Sequence, residues 1–248
     1  MTKAARRPVE SALGRPLPQP GWPAGYAWLI TEHRLQTPAP ARLAATAAAG
    51  SPKPSADWLM LRPARRPEPT LEAHLEFALK HEGVDLGILS ALFDKLQPKA
   101  IAEPVRKTPL GLYTRRLWYL YEWLTGRALD VPDAPKVRAV PVLDPDQQYG
   151  IADGALSRRH RVVDNLPGTR WFCPLVRRTP LLDGLIARRL DVQARDVVTP
   201  TPPDVAARAA AFLQVDESRS SFRIDGEQPV RSRTTRWAQA IAGTALNR

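Results

Sequence analysis

With a single cysteine, Cys173, in 248 residues, the chain can form no internal disulfide and no cysteine-built zinc site, and it suits a reducing compartment. Histidine is nearly as scarce: His33, His74, His81 and His160. None stands at metal-ligand spacing, since His81-Glu82 is followed by no second histidine one helical turn on. His74 and His81 flank a predicted helix and read as surface or boundary residues. The glycines are isolated, so there is no phosphate-cradling loop. No nucleophile elbow or Ser/His/Asp arrangement is visible. Cys173, between Phe172 and Pro174, reads as a structural thiol rather than a nucleophile. No apolar run approaches the ~20 residues of a membrane helix. Lys3, Arg6 and Arg7 are followed by no apolar stretch of the secretory kind. The expectation is a cytoplasmic chain with no membrane contact and with no catalytic residue, metal or cofactor of its own.

Proline and arginine are abundant instead. The 26 prolines cluster in the first 70 residues and near 132–145 and 200–203, which predicts short elements on stiff connectors. The net charge of +11 favours anionic partners. Its arginines, however, are scattered in pairs such as Arg65-Arg66, Arg115-Arg116, Arg158-Arg159 and Arg177-Arg178 rather than gathered in one stripe.

Hydrophobic periodicity predicts a mainly α-helical protein: a helical bundle-like core, a small irregular β component and a winged-helix-like N-terminal part. Residues 1–24 form a Pro/Arg-rich arm. In 25–68, a helix runs from Tyr26 to about Gln36, and Thr37-Pro38 opens an Ala-rich helix to about Ala49. A strand at Asp57–Leu61 follows, giving the helix–helix–strand order of a winged helix. The helical core, 69–130, holds a helix capped by Thr70 with Leu71, Leu75, Ala78 and Leu79 on one face. Gly83 stops it, and a second helix has Leu89, Leu92, Phe93 and Leu96, the two forming an antiparallel pair. The stretch 109–126 is apolar nearly all round and predicts a central helix ended by Gly126. Residues 131–178 are an irregular β/loop insertion with β-like runs at Val137–Leu143, Arg161–Val163 and Trp171–Val176. In 179–248, helices begin at Thr179-Pro180 and at Pro203, where Val205, Ala209, Phe212 and Leu213 face inward. A last helix is capped by Ser232 and contains Trp237 and Ile241.

One stretch carries more than fold. Phe212-Leu-Gln-Val-Asp-Glu-Ser-Arg-Ser-Ser-Phe-Arg-Ile-Asp-Gly-Glu227 resembles the inhibitory helix of Fic-family protein adenylyltransferases. In that family the pattern is Ser/Thr, three residues, Glu, then Gly or Asn. Ser221, Asp225 and Gly226 occupy those positions, with Ser220, Ile224 and Glu227 matching the common extension. The stretches Leu75–Leu86 and 109–130 also resemble the N-terminal region of a bacterial Fic subgroup. The resemblance extends over about residues 25–248.

The resemblance implies a regulatory role. The family transfers AMP from ATP to a protein hydroxyl, using a loop of His-Pro-Phe, an acidic residue and Gly-Asn-Gly-Arg. That loop is absent from this sequence, so ATP and Mg are implied only for a Fic catalytic domain, acting as partner in cis or in trans. The expected role is an autoinhibitory module, inactive alone, from a truncated or split protein. In the family the inhibitory carboxylate pairs with the loop arginine that would hold the γ-phosphate, a charge-assisted bidentate contact. Asp225 stands here in place of the usual Glu and has one methylene less reach. The alternative expectation is a DNA-binding regulator using the winged-helix-like part.

Overall fold

In the computed structural model, which describes residues 7–224 together with Gly226 and Arg236, the Pro-rich start carries a β-hairpin. Strands β1 (Val9–Ala12) and β2 (Arg15–Ala24) run antiparallel. Leu13 and Gly14 join them with φ of 50° and 74°, the double positive value that a tight two-residue hairpin turn requires. β2 tolerates Pro23 because of ladder phase. It pairs antiparallel with β3 (Leu43–Ala47) from Gly21↔Ala47 to Ala24↔Ala44. The Ala48 N–H donates to the Pro20 carbonyl at 2.9 Å. Trp22 and Ala24 are then the next hydrogen-bonded positions, and Pro23 falls between them, where no N–H is needed. Strand β4 (Trp58–Leu61) lies parallel to β3 and completes a four-stranded sheet, β1-β2-β3-β4.

This sheet overturns the expectation of a mainly helical chain: the fold is mixed α/β. The Ala-rich segment predicted as a second helix is β3, buried at every position. Alanine favours helix by local propensity. Here its small side chains let a strand lie between two neighbours with both faces covered, and burial outweighs propensity. A single helix, α1 (Tyr26–Glu32), separates β2 from β3. The helix–helix–strand order of a winged helix is therefore not formed.

Helices α2 (Leu71–His81), α3 (Leu86–Phe93), α4 (Lys99–Lys107) and α5 (Leu112–Thr125) follow. The Thr70 hydroxyl accepts the Ala73 N–H at 3.2 Å, and the Asp85 carboxylate accepts the Ile88 N–H at 3.1 Å, each satisfying an orphan donor of a first turn. α4 escapes the sequence reading. Pro98 opens it, and it continues through Pro104 while burying Ile101, Ala102 and Val105. The expected α2–α3 pairing is replaced by a shared centre: α2, α3 and α4 each pack on α5. α5 buries everything from Arg115 to Tyr121 and ends at Gly126, φ 68°.

After α5 come five short strands, β5 (Val140–Pro141), β6 (Gln148–Tyr149), β7 (Ala155–Ser157), β8 (Val162–Asp164) and β9 (Val176–Arg177). They form a β5-β8-β7 sheet and a β6-β9 pair. Two buried arginines of α5 fasten the first sheet. Arg115 donates to the Arg138 and Arg161 carbonyls at 3.1 and 2.8 Å, and Arg116 donates to the Pro141 carbonyl at 2.7 Å.

The chain divides into two compact units, Met1–Arg178 and Thr179–Arg248. The second holds α6 (Pro180–Ala187), α7 (Leu190–Val198) and α8 (Pro203–Ile224). The helix expected from Ser232, with Trp237 and Ile241, lies outside the described residues. No helix among the described residues is long and apolar enough to cross a membrane.

Candidate functional site

The described part of the stretch that resembles a Fic inhibitory helix, residues 212–224, forms the C-terminal part of α8, a 22-residue helix. Ser220, Ser221 and Ile224 occupy its last turn and are exposed, Ile224 at 86%. Gly226 follows with φ 73°, the left-handed conformation that closes helices and that glycine adopts without a Cβ clash. Its N–H donates to the Arg223 carbonyl at 3.1 Å. Asp225 and Glu227 lie outside the described residues. The expectation that Val205, Ala209, Phe212 and Leu213 face a core is corrected: all four are exposed, Phe212 at 71%. Leu181, Ile186, Val197 and Val198 on α6 and α7 are exposed as well. An apolar stripe of this kind normally marks a surface that another element covers.

The first unit holds two polar constellations that linear reading misses. In one, the Ser157 hydroxyl is 2.7 Å from His160 Nδ1, and His160 Nε2 is 3.0 Å from Glu122 Oε2. This Ser–His–Glu chain joins α5 to the β7–β8 hairpin, so no local spacing announces it. Its carboxylate is already saturated. Glu122 also accepts from Trp118 Nε1 at 2.7 Å, from the Leu129 N–H at 2.8 Å and from Arg159 at 3.2 and 3.3 Å. Burial works against the charge, but the Arg159 guanidinium and the other donors hold the Glu122 carboxyl below its usual range. Burial pushes His160 down despite its carboxylate neighbour, so the ring is neutral and bridges as donor on one side and acceptor on the other. Arg159 continues to Asp133 and the Leu129 carbonyl, at 2.8 and 2.7 Å. The arrangement is a brace that ties the hairpin and the 129–133 loop to α5.

The second constellation secures the start of α1. Glu82 Oε2 accepts the Tyr26 N–H at 2.9 Å, while its buried Oε1 has no partner among the described residues. The Tyr26 hydroxyl donates to the Gly83 carbonyl at 2.8 Å and accepts the Asp85 N–H at 3.0 Å. His74 Nδ1 accepts the Gly25 N–H at 3.2 Å. Burial raises the Glu82 carboxyl to about 8 and, with Arg66 nearby, lowers His74 to about 3. Gly25 has φ 56°, and a Cβ there would lie 1.7 Å from Glu82 Oε2, so only glycine fits. His74, read from sequence as a boundary residue, is 3% exposed. The signal that could have found it is its i+4 neighbour Ala78 on the apolar face of α2.

Among the described residues no three His, Cys, Asp or Glu side chains gather into a metal-holding group. Cys173 is a free, half-buried thiol whose pKa burial raises, the opposite of an activated nucleophile. No protein-family model, curated protein or solved structure matches the chain.

Proposed function

We propose that the chain is a regulatory module that restrains Fic-type AMP transfer in the cytoplasm and has no transferase activity alone. The observation that carries the reading is the Ser220–Glu227 signature at the end of α8, closed by a left-handed Gly226. Ser221 lies four residues before Asp225 in the sequence, the spacing of one helical turn. The exposed apolar side chains of α6, α7 and α8 supply a surface on which a catalytic domain, in cis or in trans, can seat. ATP and Mg belong to that domain. Asp225 pairs with its phosphate-binding arginine and places negative charge where the γ-phosphate must go. The DNA-binding alternative keeps its motivation in the net charge of +11 but not in a helix–helix–strand order, because the segment expected as its second helix is strand β3.

The test is AMP transfer by a Fic catalytic domain, joined to or mixed with the chain, with Asp225→Ala and Asp225→Glu compared. Losing one charge-assisted bidentate pair is worth about tenfold or more. Asp225→Ala is therefore expected to release transfer by about that factor, and Asp225→Glu to restrain it at least as well as the wild type. Unchanged transfer in Asp225→Ala would remove the carboxylate from the mechanism.

A further inference from the structure

Strand β2, helix α1 and the turn leading into α2 surround a cleft of about 50 Å³, walled by Trp22, Pro23, Trp28 and Pro69 and reached by Arg66 and His74. Its charged or titratable side chains are Arg66 and His74, with no carboxylate among the lining residues. His74 is 3% exposed and stacks on Trp28, ring centroids 3.9 Å apart and planes 7° from parallel. Because Nδ1 accepts the Gly25 N–H, the neutral ring carries its proton on Nε2. That N–H has no protein partner among the described residues. The Arg66 guanidinium lies over the Trp22 ring, 3.9 Å from its centroid, and no carboxylate pairs with it among the described residues. A stacked arginine keeps its in-plane donors free for an anion.

One N–H donor and a guanidinium with no opposing acceptor side chain, in a space that holds a few waters, match a carboxylate. Indole and proline walls match a flat apolar ring attached to it. We infer that the cleft binds a small aromatic carboxylate, its oxygens between Arg66 and the His74 Nε2–H and its ring against the two indoles. The site is independent of the restraint assigned to α8.

The test is titration of the full chain, ¹⁵N-labelled, with benzoate, following the indole N–H resonances of Trp22, Trp28 and the remote Trp58 by NMR. A small ligand of this kind is expected to bind with a Kd of about 1 mM, shifting Trp22 and Trp28 saturably and leaving Trp58 unmoved. Arg66→Gln, at an exposed position and so compatible with folding, is expected to weaken binding about tenfold, and benzylammonium to bind at least as weakly. Absence of a saturable shift, equal binding of benzylammonium, or full binding by Arg66→Gln with an unchanged Trp58 signal would each overturn the inference.

Discussion

Two buried titratable residues give the first unit opposite pH responses. Glu82 is raised by burial to about 8 from an ordinary 4.5. Between those values the folded chain keeps a proton that the unfolded chain releases, so this contribution to stability falls as pH rises from about 4.5 to about 8. His74 is lowered by burial, with Arg66 second, to about 3 from 6.5. There the unfolded chain binds the extra proton, so stability falls as pH drops below 6.5. The two slopes oppose each other between 4.5 and 6.5, and the Glu82 slope stands alone from 6.5 to 8. Urea midpoints of the wild type are expected to decline over that upper range and those of Glu82→Gln to stay level. A decline in Glu82→Gln as steep as in the wild type would exclude the carboxyl as its origin. Neither residue was legible from sequence. Glu82 reads as an ordinary polar C-terminus of α2, and segments far away in the chain, around Gly25–Tyr26 and Arg177, surround it.

The elements differ in how locally they are encoded. Helix α2 starts where Thr70 caps it, and α5 stops where Gly126 takes a positive φ. Both were readable because caps and stops act within one turn. Strand β3 and the β1–β2 hairpin were not, since alanine and proline mean strand only when a neighbouring strand supplies the ladder. Cross-element polar contacts escape for the same reason. The Glu122 brace joins α5 to the β7–β8 hairpin, and its cost of removal is expected to be uneven. Arg159→Met strips a guanidinium from a mostly buried carboxylate and should destabilise by about 2 kcal/mol. Ser157→Ala removes one terminal hydroxyl and should cost about 1 kcal/mol or less. Urea unfolding of the two variants measures the difference. A Ser157→Ala loss equal to that of Arg159→Met would place the weight of the brace on the hydroxyl.

At the scale of the whole chain the two units are unlike. The first buries Trp58, Trp118, Tyr26 and Tyr121 almost completely, whereas α6 and α7 bury nothing. Helices without a buried face depend on propensity alone and exchange their amides through frequent local opening. In the isolated chain, hydrogen exchange is expected to be far faster across α6–α8 than across α5, and α8 should gain protection when a Fic catalytic domain is added. Equal protection of α8 and α5 without a partner would contradict the view that its apolar stripe awaits one.

By itself the sequence determined the starts of α2 and α6, the stop of α5 and the central place of α5. Each rests on capping, periodicity or residue type within a few positions. Tertiary structure alone decided that the N-terminal third is built around a sheet, that α2, α3 and α4 gather on α5, that Glu82 and His74 are buried, and that Ser157, His160 and Glu122 meet. Those outcomes depend on burial and on hydrogen-bond partners supplied from distant segments, which local sequence does not encode.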